Sequence, residues 1–144
     1  MLITIINGPN LYLIGSRETS IYGTQTMDEM LFNIRRDFPQ VELDYFQSNQ
    51  EGALIDKLQQ IPQETDGIII NAGGLSHTSI ALADAVAAVK ITVVEVHISN
   101  IAAREAYRHH SYITAHCQGI IAGLGLAGYL LAVRYLVDQK NMQG

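Results

Sequence analysis

Short runs of strand-forming residues alternate with segments of helical periodicity, and this alternation constrains the fold more than any other feature. The predicted strands cover residues 2–6, 41–46, 68–70, 92–97 and 119–122. Apolar side chains at helical spacing begin at residue 26 and also cover 51–61, 79–89 and 126–136, whereas 11–25 reads as a long loop. Such alternation predicts an α/β fold, with a parallel sheet and helices on both of its faces.

Five strands in a chain of this length fit the flavodoxin-like strand order 2-1-3-4-5. In that order, ligands bind beyond the carboxyl ends of the strands, where the order reverses between strands 1 and 3. Polar residues follow three of the predicted strands at this edge: Asn7 and Asn10, then Asn71, Ser76 and His77, then Glu95, His97, Ser99 and Asn100. We therefore expect a functional site at this edge of the sheet.

The composition fits one catalytic domain over residues 1–144, with 48% hydrophobic and 16% charged residues. A net charge of −5 without a basic run argues against nucleic acid and anionic membranes as partners. Cys117 is the only cysteine, which excludes an internal disulfide and favours a reducing, cytoplasmic compartment. We expect no signal peptide at the N-terminus and no membrane-spanning segment, because the apolar runs are too short.

Strand 4 contains a carboxylate and an imidazole within an otherwise apolar run. Strand alternation places Glu95 and His97 on one face, with Val94, Val96 and Ile98 opposite. An ionised Glu95 would favour the imidazolium and fix its tautomer, as a catalytic acid requires. Two other interpretations remain open from the residues alone: a self-satisfied structural pair, and part of a metal site whose other ligands are not evident nearby.

The loop after strand 1 contains Arg17 and Tyr22. Each alone is typical of a solvated or packing side chain, but a guanidinium close to a phenol favours the phenolate, which can act as a base. A loop of this length in a compact domain is often a lid.

Three further basic side chains each have a structural and a functional interpretation. His77 precedes an Ala-rich helix, where it can cap the helix or help bind an anion near the helix N-terminus. Arg104 and Arg108 lie one helical turn apart and can be surface charges or ligands for an anion. Tyr129 we interpret as a packing residue.

Five separated segments together resemble the type II 3-dehydroquinate dehydratase family. In chain order they are NGPNLYLIGSRETSIYG, QSNQEGALID, NAGGLSHTSIALADA, VEVHISNIAAREAYRHHSYI and GLGLAGYLLA, and the resemblance extends from Ile3 to about Leu136. It implies a flavodoxin-like fold and removal of water from 3-dehydroquinate to give 3-dehydroshikimate through an enolate. It also implies that no cofactor or metal takes part, and that the reaction serves aromatic amino acid biosynthesis by the shikimate pathway or the breakdown of quinate.

The resemblance implies a role for each matching catalytic residue. Tyr22 matches the base that removes a proton from C2, and Arg17 matches the arginine that stabilises its phenolate. Asn10 matches the asparagine that helps to hold the enolate. His97 matches the general acid for the departing C1 hydroxyl, with Glu95 as its orienting partner.

The resemblance also implies a set of substrate-binding residues. Asn71, His77 and Arg108 match residues that bind the ring hydroxyls and the carboxylate side of the substrate. Ile98 and Ser99 match the loop that holds the carboxylate. Arg104, in contrast, matches an arginine of the closing region.

The family's assembly is a dodecamer of four trimers, so the resemblance implies a homododecamer. Asp84 matches an acidic residue that reaches toward a neighbouring subunit's site. The chain departs from the usual family pattern at Tyr12, Thr19 and Ala83. Of these, Thr19 replaces a frequent proline of the lid, and Ala83 replaces an arginine that often precedes the aspartate.

Three rival functions fit the same fold class. A flavin- or phosphate-binding module would need a Ser/Thr/Gly-rich loop after strand 1, and a receiver domain would need an aspartate at the end of strand 3, where this chain has Asn71. A structural oligomer would use the polar edge for subunit contacts alone. The motifs favour the dehydratase.

Overall fold

The computed structural model describes residues 1–16 and 18–144, and its centre is a five-stranded sheet in the order β2-β1-β3-β4-β5. The strands are β1 Leu2–Asn7, β2 Glu42–Gln47, β3 Gly67–Asn71, β4 Val93–His97 and β5 Gly119–Ala122. All four neighbouring pairs are parallel. The predicted flavodoxin-like order is therefore confirmed.

Helices cover both faces of the sheet, as predicted. They are α1 Thr19–Tyr22, α2 Met27–Asp37, α3 Glu51–Gln59, α4 Ile80–Ala88 and α5 Ala127–Gln143. Helices α2 and α5 pack on one face and α3 and α4 on the other, which gives two separate apolar clusters. Helix α2 begins at the predicted cap, because the Thr26 hydroxyl accepts the Glu29 N–H at 3.2 Å and the Glu29 carboxylate accepts the Thr26 N–H at 3.3 Å.

Two boundaries differ from the sequence predictions. The segment predicted as an irregular loop contains a short 3-10 turn, Leu11–Leu13, and the four-residue helix α1. The last helix continues to Gln143 instead of ending near residue 136. The residues after Val137 are mostly exposed, so its final turns have no apolar period. Charged contacts are present there instead, between Arg134 and Asp138 at 3.3 Å and between Lys140 and Asp66. Among the described residues, no helix is both long and apolar enough to cross a membrane.

A close backbone approach joins the carboxyl ends of β1 and β3. The Gly8 N–H donates to the Asn71 carbonyl at 2.8 Å. A Cβ added at Gly8 would lie 2.4 Å from the carbonyl oxygen of Ala72, so only glycine fits. This contact sets the positions of the two polar turns that follow these strands.

Replacing Gly8 with alanine should force these two backbones apart. We expect Gly8→Ala to lower the free energy of unfolding by about 2 kcal/mol or more, as overpacking does in rigid surroundings. Gly52→Ala is the matched control, because Gly52 lies in α3 with nothing within 4 Å of an added Cβ. It should leave stability unchanged or raise it by up to about 1 kcal/mol. Equal urea midpoints for the two variants would contradict the close approach.

Candidate active site

A cavity of about 110 Å³ lies at the carboxyl ends of β1, β3 and β4, at the edge where the polar segments were predicted to meet. It is lined by most of the residues singled out in the sequence: Asn10, Tyr22, Asn71, His77, His97, Ile98, Ser99, Arg104 and Arg108. Side chains from four separate segments of the chain therefore face one small volume. This arrangement is typical of a site built at the switch point of an open parallel sheet.

Two of the predicted site residues that the structure describes do not line this cavity. Glu95 lies directly behind His97, with no solvent exposure. Asp84 lies on the exposed side of α4 and is absent from the cavity wall of its own chain. Arg17 lies outside the described residues.

Glu95 and His97 form a hydrogen-bonded pair inside the sheet edge. His97 Nε2 contacts Glu95 Oε2, while the other carboxylate oxygen, Oε1, accepts hydrogen bonds from Ser111 Oγ at 3.2 Å and Thr114 Oγ1 at 2.7 Å. Burial acts to raise the pKa of Glu95, but the bonds from His97, Thr114 and Ser111 hold it below its ordinary value. Among the described residues, no cluster of three or more His, Cys, Asp or Glu side chains has the arrangement of a metal site.

His77 is held beside His97 and in one tautomer. Its Nδ1 lies 2.8 Å from the carbonyl of His110, so Nδ1 carries the proton, because a carbonyl only accepts. Burial lowers the pKa of the His77 imidazole, and the nearby His97 and Arg108 lower it further against the opposing effect of the His110 bond. The ring therefore favours the neutral form, whose Nε2 is a hydrogen-bond acceptor at the cavity.

Arg104 places its guanidinium against Tyr22. Its Nη1 donates to the Tyr22 hydroxyl at 2.9 Å, and the same nitrogen lies 3.4 Å from Ser99 Oγ. Burial acts to lower the pKa of Arg104, but the contact with Tyr22 and the Glu105 and Glu18 carboxylates raise it above its usual value. The sequence indicated only Arg17 as a partner for a Tyr22 phenolate, because a spacing of 82 residues gives no sign of the contact between Arg104 and Tyr22.

Arg104 and Arg108 are mostly buried, which argues against the surface-charge interpretation. Their side chains are 14% and 26% exposed. Glu105 lies 2.9 Å from Arg108 Nε and 3.7 Å from Arg104 Nε, and so links the two cations. Two guanidiniums on one wall give the cavity an affinity for an anion, most simply a carboxylate.

A buried polar network forms the floor of the site. The Tyr129 hydroxyl donates to Asn7 Oδ1 at 2.7 Å and accepts from Asn71 Nδ2 at 2.9 Å, while Asn71 Oδ1 accepts the Gly73 N–H at 3.1 Å. These bonds fix the amide orientation of Asn71, which lines the cavity. The interpretation of Tyr129 as a packing residue was therefore incomplete. Its apolar neighbours in the sequence gave no sign of the hydroxyl's partners.

The turn that carries Asn10 is held by residues at the end of β2 and just after it. Asn10 has a left-handed backbone with φ 69°, which asparagine tolerates better than most residues. Its N–H donates to Asn49 Oδ1 at 2.9 Å. Gln47 Nε2 donates to the Gly8 carbonyl at 3.1 Å, so the QSNQ segment positions this turn.

Comparison with known proteins identifies the family of this chain. The family model described as "Dehydroquinase class II" matches residues 1–137. A protein of Bacillus pumilus named "3-dehydroquinate dehydratase" is 47% identical over 138 residues, covering 94% of this chain and 93% of its own length. A Chlorobaculum tepidum protein of the same name is 48% identical over 141 residues, covering 96% and 95%.

Solved structures give the same result. The crystal structure of a type II dehydroquinase from Butyrivibrio crossotus superposes with a TM-score of 0.91 at 44% identity, covering 94% of this chain and 97% of that chain. The flavodoxin-like sheet, the cavity at its switch point and these likenesses define a member of the type II dehydroquinases. The chain belongs to the family described as Dehydroquinase class II.

The Tyr129 hydroxyl should contribute to stability through the two asparagines. Tyr129→Phe leaves the buried Asn7 Oδ1 without this donor, so we expect the free energy of unfolding to fall by about 1–3 kcal/mol. Tyr12→Phe is the control, because Tyr12 is 62% exposed, and it should change stability by less than about 0.5 kcal/mol. Urea unfolding of both variants measures this difference, and an unchanged Tyr129→Phe midpoint would rule out a stabilising network.

Proposed function

We propose that this protein is a 3-dehydroquinate dehydratase that eliminates water through an enolate, with Tyr22 as base and His97 as acid. The family membership and the names of the relatives support the reaction. The observation that carries the mechanism is that Tyr22 and His97 line one cavity. Each also has a hydrogen-bond partner of its own, Arg104 for Tyr22 and Glu95 for His97. Loss of a β-hydroxyl from a ketone needs such a pair: a base at the carbon beside the carbonyl, and an acid for the leaving hydroxide.

Tyr22 removes the proton from C2 as a phenolate. A free phenol in water is ionised to only about one part in a thousand at pH 7, so the site must favour the anion. Arg104, 2.9 Å from the hydroxyl, supplies a positive charge for this purpose. Arg17, the partner expected from the sequence, is a second contributor in this proposal.

The electrons of the broken C–H bond form the enolate, and Asn10 helps to hold its oxygen. The enolate then expels the C1 hydroxyl as the C–O bond breaks. His97 donates a proton to that oxygen, so water leaves, and the proton taken by Tyr22 returns to solvent. Because Nε2 of His97 is hydrogen-bonded to Glu95, Nδ1 is the nitrogen that donates the proton to the leaving hydroxyl.

Binding of the substrate uses the remaining walls of the cavity. Arg108 and the Ile98–Ser99 backbone and hydroxyl suit the carboxylate, because they combine a positive charge with hydrogen-bond donors. Neutral His77, through Nε2, accepts from a ring hydroxyl, and Asn71, fixed by Tyr129, binds a second one. These assignments follow the expectations from the resemblance.

Removal of the base should abolish turnover without abolishing binding. Tyr22→Phe should lose at least about a hundredfold in kcat, the low end of general-base contributions, while substrate affinity stays within a small factor. The assay follows the conjugated enone absorbance as 3-dehydroquinate is consumed. Absence of enone formation by the parent enzyme would refute the proposed reaction, and turnover by Tyr22→Phe within tenfold of the parent would refute its base.

The pH dependence of kcat tests whether each arginine favours the phenolate. An arginine that favours the phenolate becomes less necessary at high pH, where the phenolate forms without help, so its alanine variant should recover part of its kcat as pH rises toward 10. We expect Arg104→Ala to show this recovery, given its contact with Tyr22, and Arg17→Ala to show it as well. A folded variant that shows no alkaline recovery has lost substrate binding or lid order instead, and its arginine is then not a partner of the phenolate.

The proposed assembly is a homododecamer, in which Asp84 reaches a neighbouring subunit's site. It rests on the family resemblance, and the exposure of Asp84 and of Ile80, 61% exposed, on α4 agrees with it. Mass photometry should give a species of twelve times the 15.8 kDa chain mass. A chain that remains monomeric at micromolar concentration while turning over 3-dehydroquinate would contradict the assembly and leave the reaction standing.

A further inference from the structure

The carboxylate behind His97 has hydroxyl donors of its own on the side away from the imidazole. Ser111 and Thr114 come from the segment between Arg108 and β5, 16 and 19 residues beyond Glu95. Both contact Oε1, at 3.2 Å and 2.7 Å, whereas His97 contacts Oε2. Ser111 is 9% exposed and Glu95 is fully buried, so water does not replace these donors readily.

The direction of these bonds favours one protonation state of Glu95. Ser111 Oγ accepts the Ile113 N–H at 3.3 Å, which leaves its own proton for Glu95. An ionised carboxylate only accepts, so two hydroxyls that converge on one oxygen are complementary to the anion. With Oε1 taken by these donors, Oε2 is the oxygen left to accept the His97 N–H.

We propose that Ser111 and Thr114 are positioning residues, which keep Glu95 ionised and oriented so that His97 retains the proton it donates. This inference rests on the proposed dehydratase function. Neither residue lines the cavity, so each acts through Glu95 and not on the substrate.

The other titratable groups around Glu95 do not offset the cost of burying its negative charge in the way that the two hydroxyls do. His97 is the one ionisable side chain in contact with it among the described residues. His77 favours its neutral form, since burial lowers its pKa. Burial, together with Glu95 itself, raises the pKa of the Cys117 thiol to about 12, so that group stays neutral as well. The remaining stabilisation of the anion therefore comes from the two hydroxyls.

Thr114 allows a sharp test, because valine keeps its shape and serine keeps its hydroxyl. We expect Thr114→Val to lose about tenfold in kcat with KM within about twofold, and Thr114→Ser to recover most of that loss. Removing a hydroxyl that lowers the pKa of Glu95 lets that pKa rise, so the fall in kcat that accompanies protonation of Glu95 should move about one unit toward higher pH in Thr114→Val. Ser111→Ala should show the same shift, but smaller, because its bond is longer.

Thr65→Val is the matched control. Thr65 is 5% exposed, precedes β3 at the opposite edge of the sheet, and its hydroxyl has no hydrogen-bond partner among the described residues. It should leave kcat and the pH profile unchanged. Equal losses in Thr65→Val and Thr114→Val, or a Thr114→Val profile identical to that of the parent, would overturn the inference, as would a Thr114→Ser variant no better than Thr114→Val.

A spectroscopic readout separates this inference from the proposed reaction. The His97 Nε2–H proton should give a far-downfield NMR signal that persists while Glu95 is ionised. In Thr114→Val this signal should be lost at a pH about one unit higher than in the parent and in Thr65→Val. A parent enzyme inactive on 3-dehydroquinate that still shows this difference would refute the reaction and leave the support of Glu95 intact. Signals lost at the same pH in all three proteins would refute that support.

Discussion

The hydrogen bond between Glu95 and His97 is the interaction on which the rest of the site depends. A carboxylate without solvent exposure costs several kcal/mol unless its oxygens are paired. Here Oε2 is paired with His97 and Oε1 with two hydroxyls, and the pKa of Glu95 lies below its ordinary value in spite of its burial. The parallel sheet allows this arrangement, because it places the end of β4 beside the end of β3. The segment before β5 then packs against Glu95.

Around this pair, the site has one wall fixed by the sheet and another supplied by irregular backbone. The fixed part includes the Gly8–Ala72 approach and the bonds that Tyr129 of α5 makes with Asn7 and Asn71, which are the last residues of β1 and β3. The other wall consists of α1 and the short 3-10 turns after β4, which present Tyr22, Arg104 and Arg108. Orientation of an acid benefits from the first kind of support, while admission and enclosure of a substrate need the second.

Much of the fold was readable from the sequence because its signals are local. Strand–helix alternation and the position of Thr26 predicted the sheet, its order and the start of α2, and the two-residue spacing placed Glu95 and His97 on one face. The contact between Arg104 and Tyr22 could not be predicted, because the two residues are 82 positions apart in the sequence and meet only in the folded chain. Ser111 and Thr114 were missed for the same reason, and Tyr129 looked like an ordinary core aromatic. Assembly, compartment and the role of Arg17 stay predictions.

Deuterium exchange at C2 of 3-dehydroquinate in D2O tests most directly whether the base and the acid are separate groups on two walls of one cavity. His97→Gln removes the proposed acid and leaves the proposed base, Tyr22, in contact with Arg104. The variant should therefore exchange the C2 proton faster than the uncatalysed background, followed by NMR, while forming almost no 3-dehydroshikimate. If a His97→Gln enzyme that still binds substrate has lost both the exchange and the elimination, the two residues do not have separate roles.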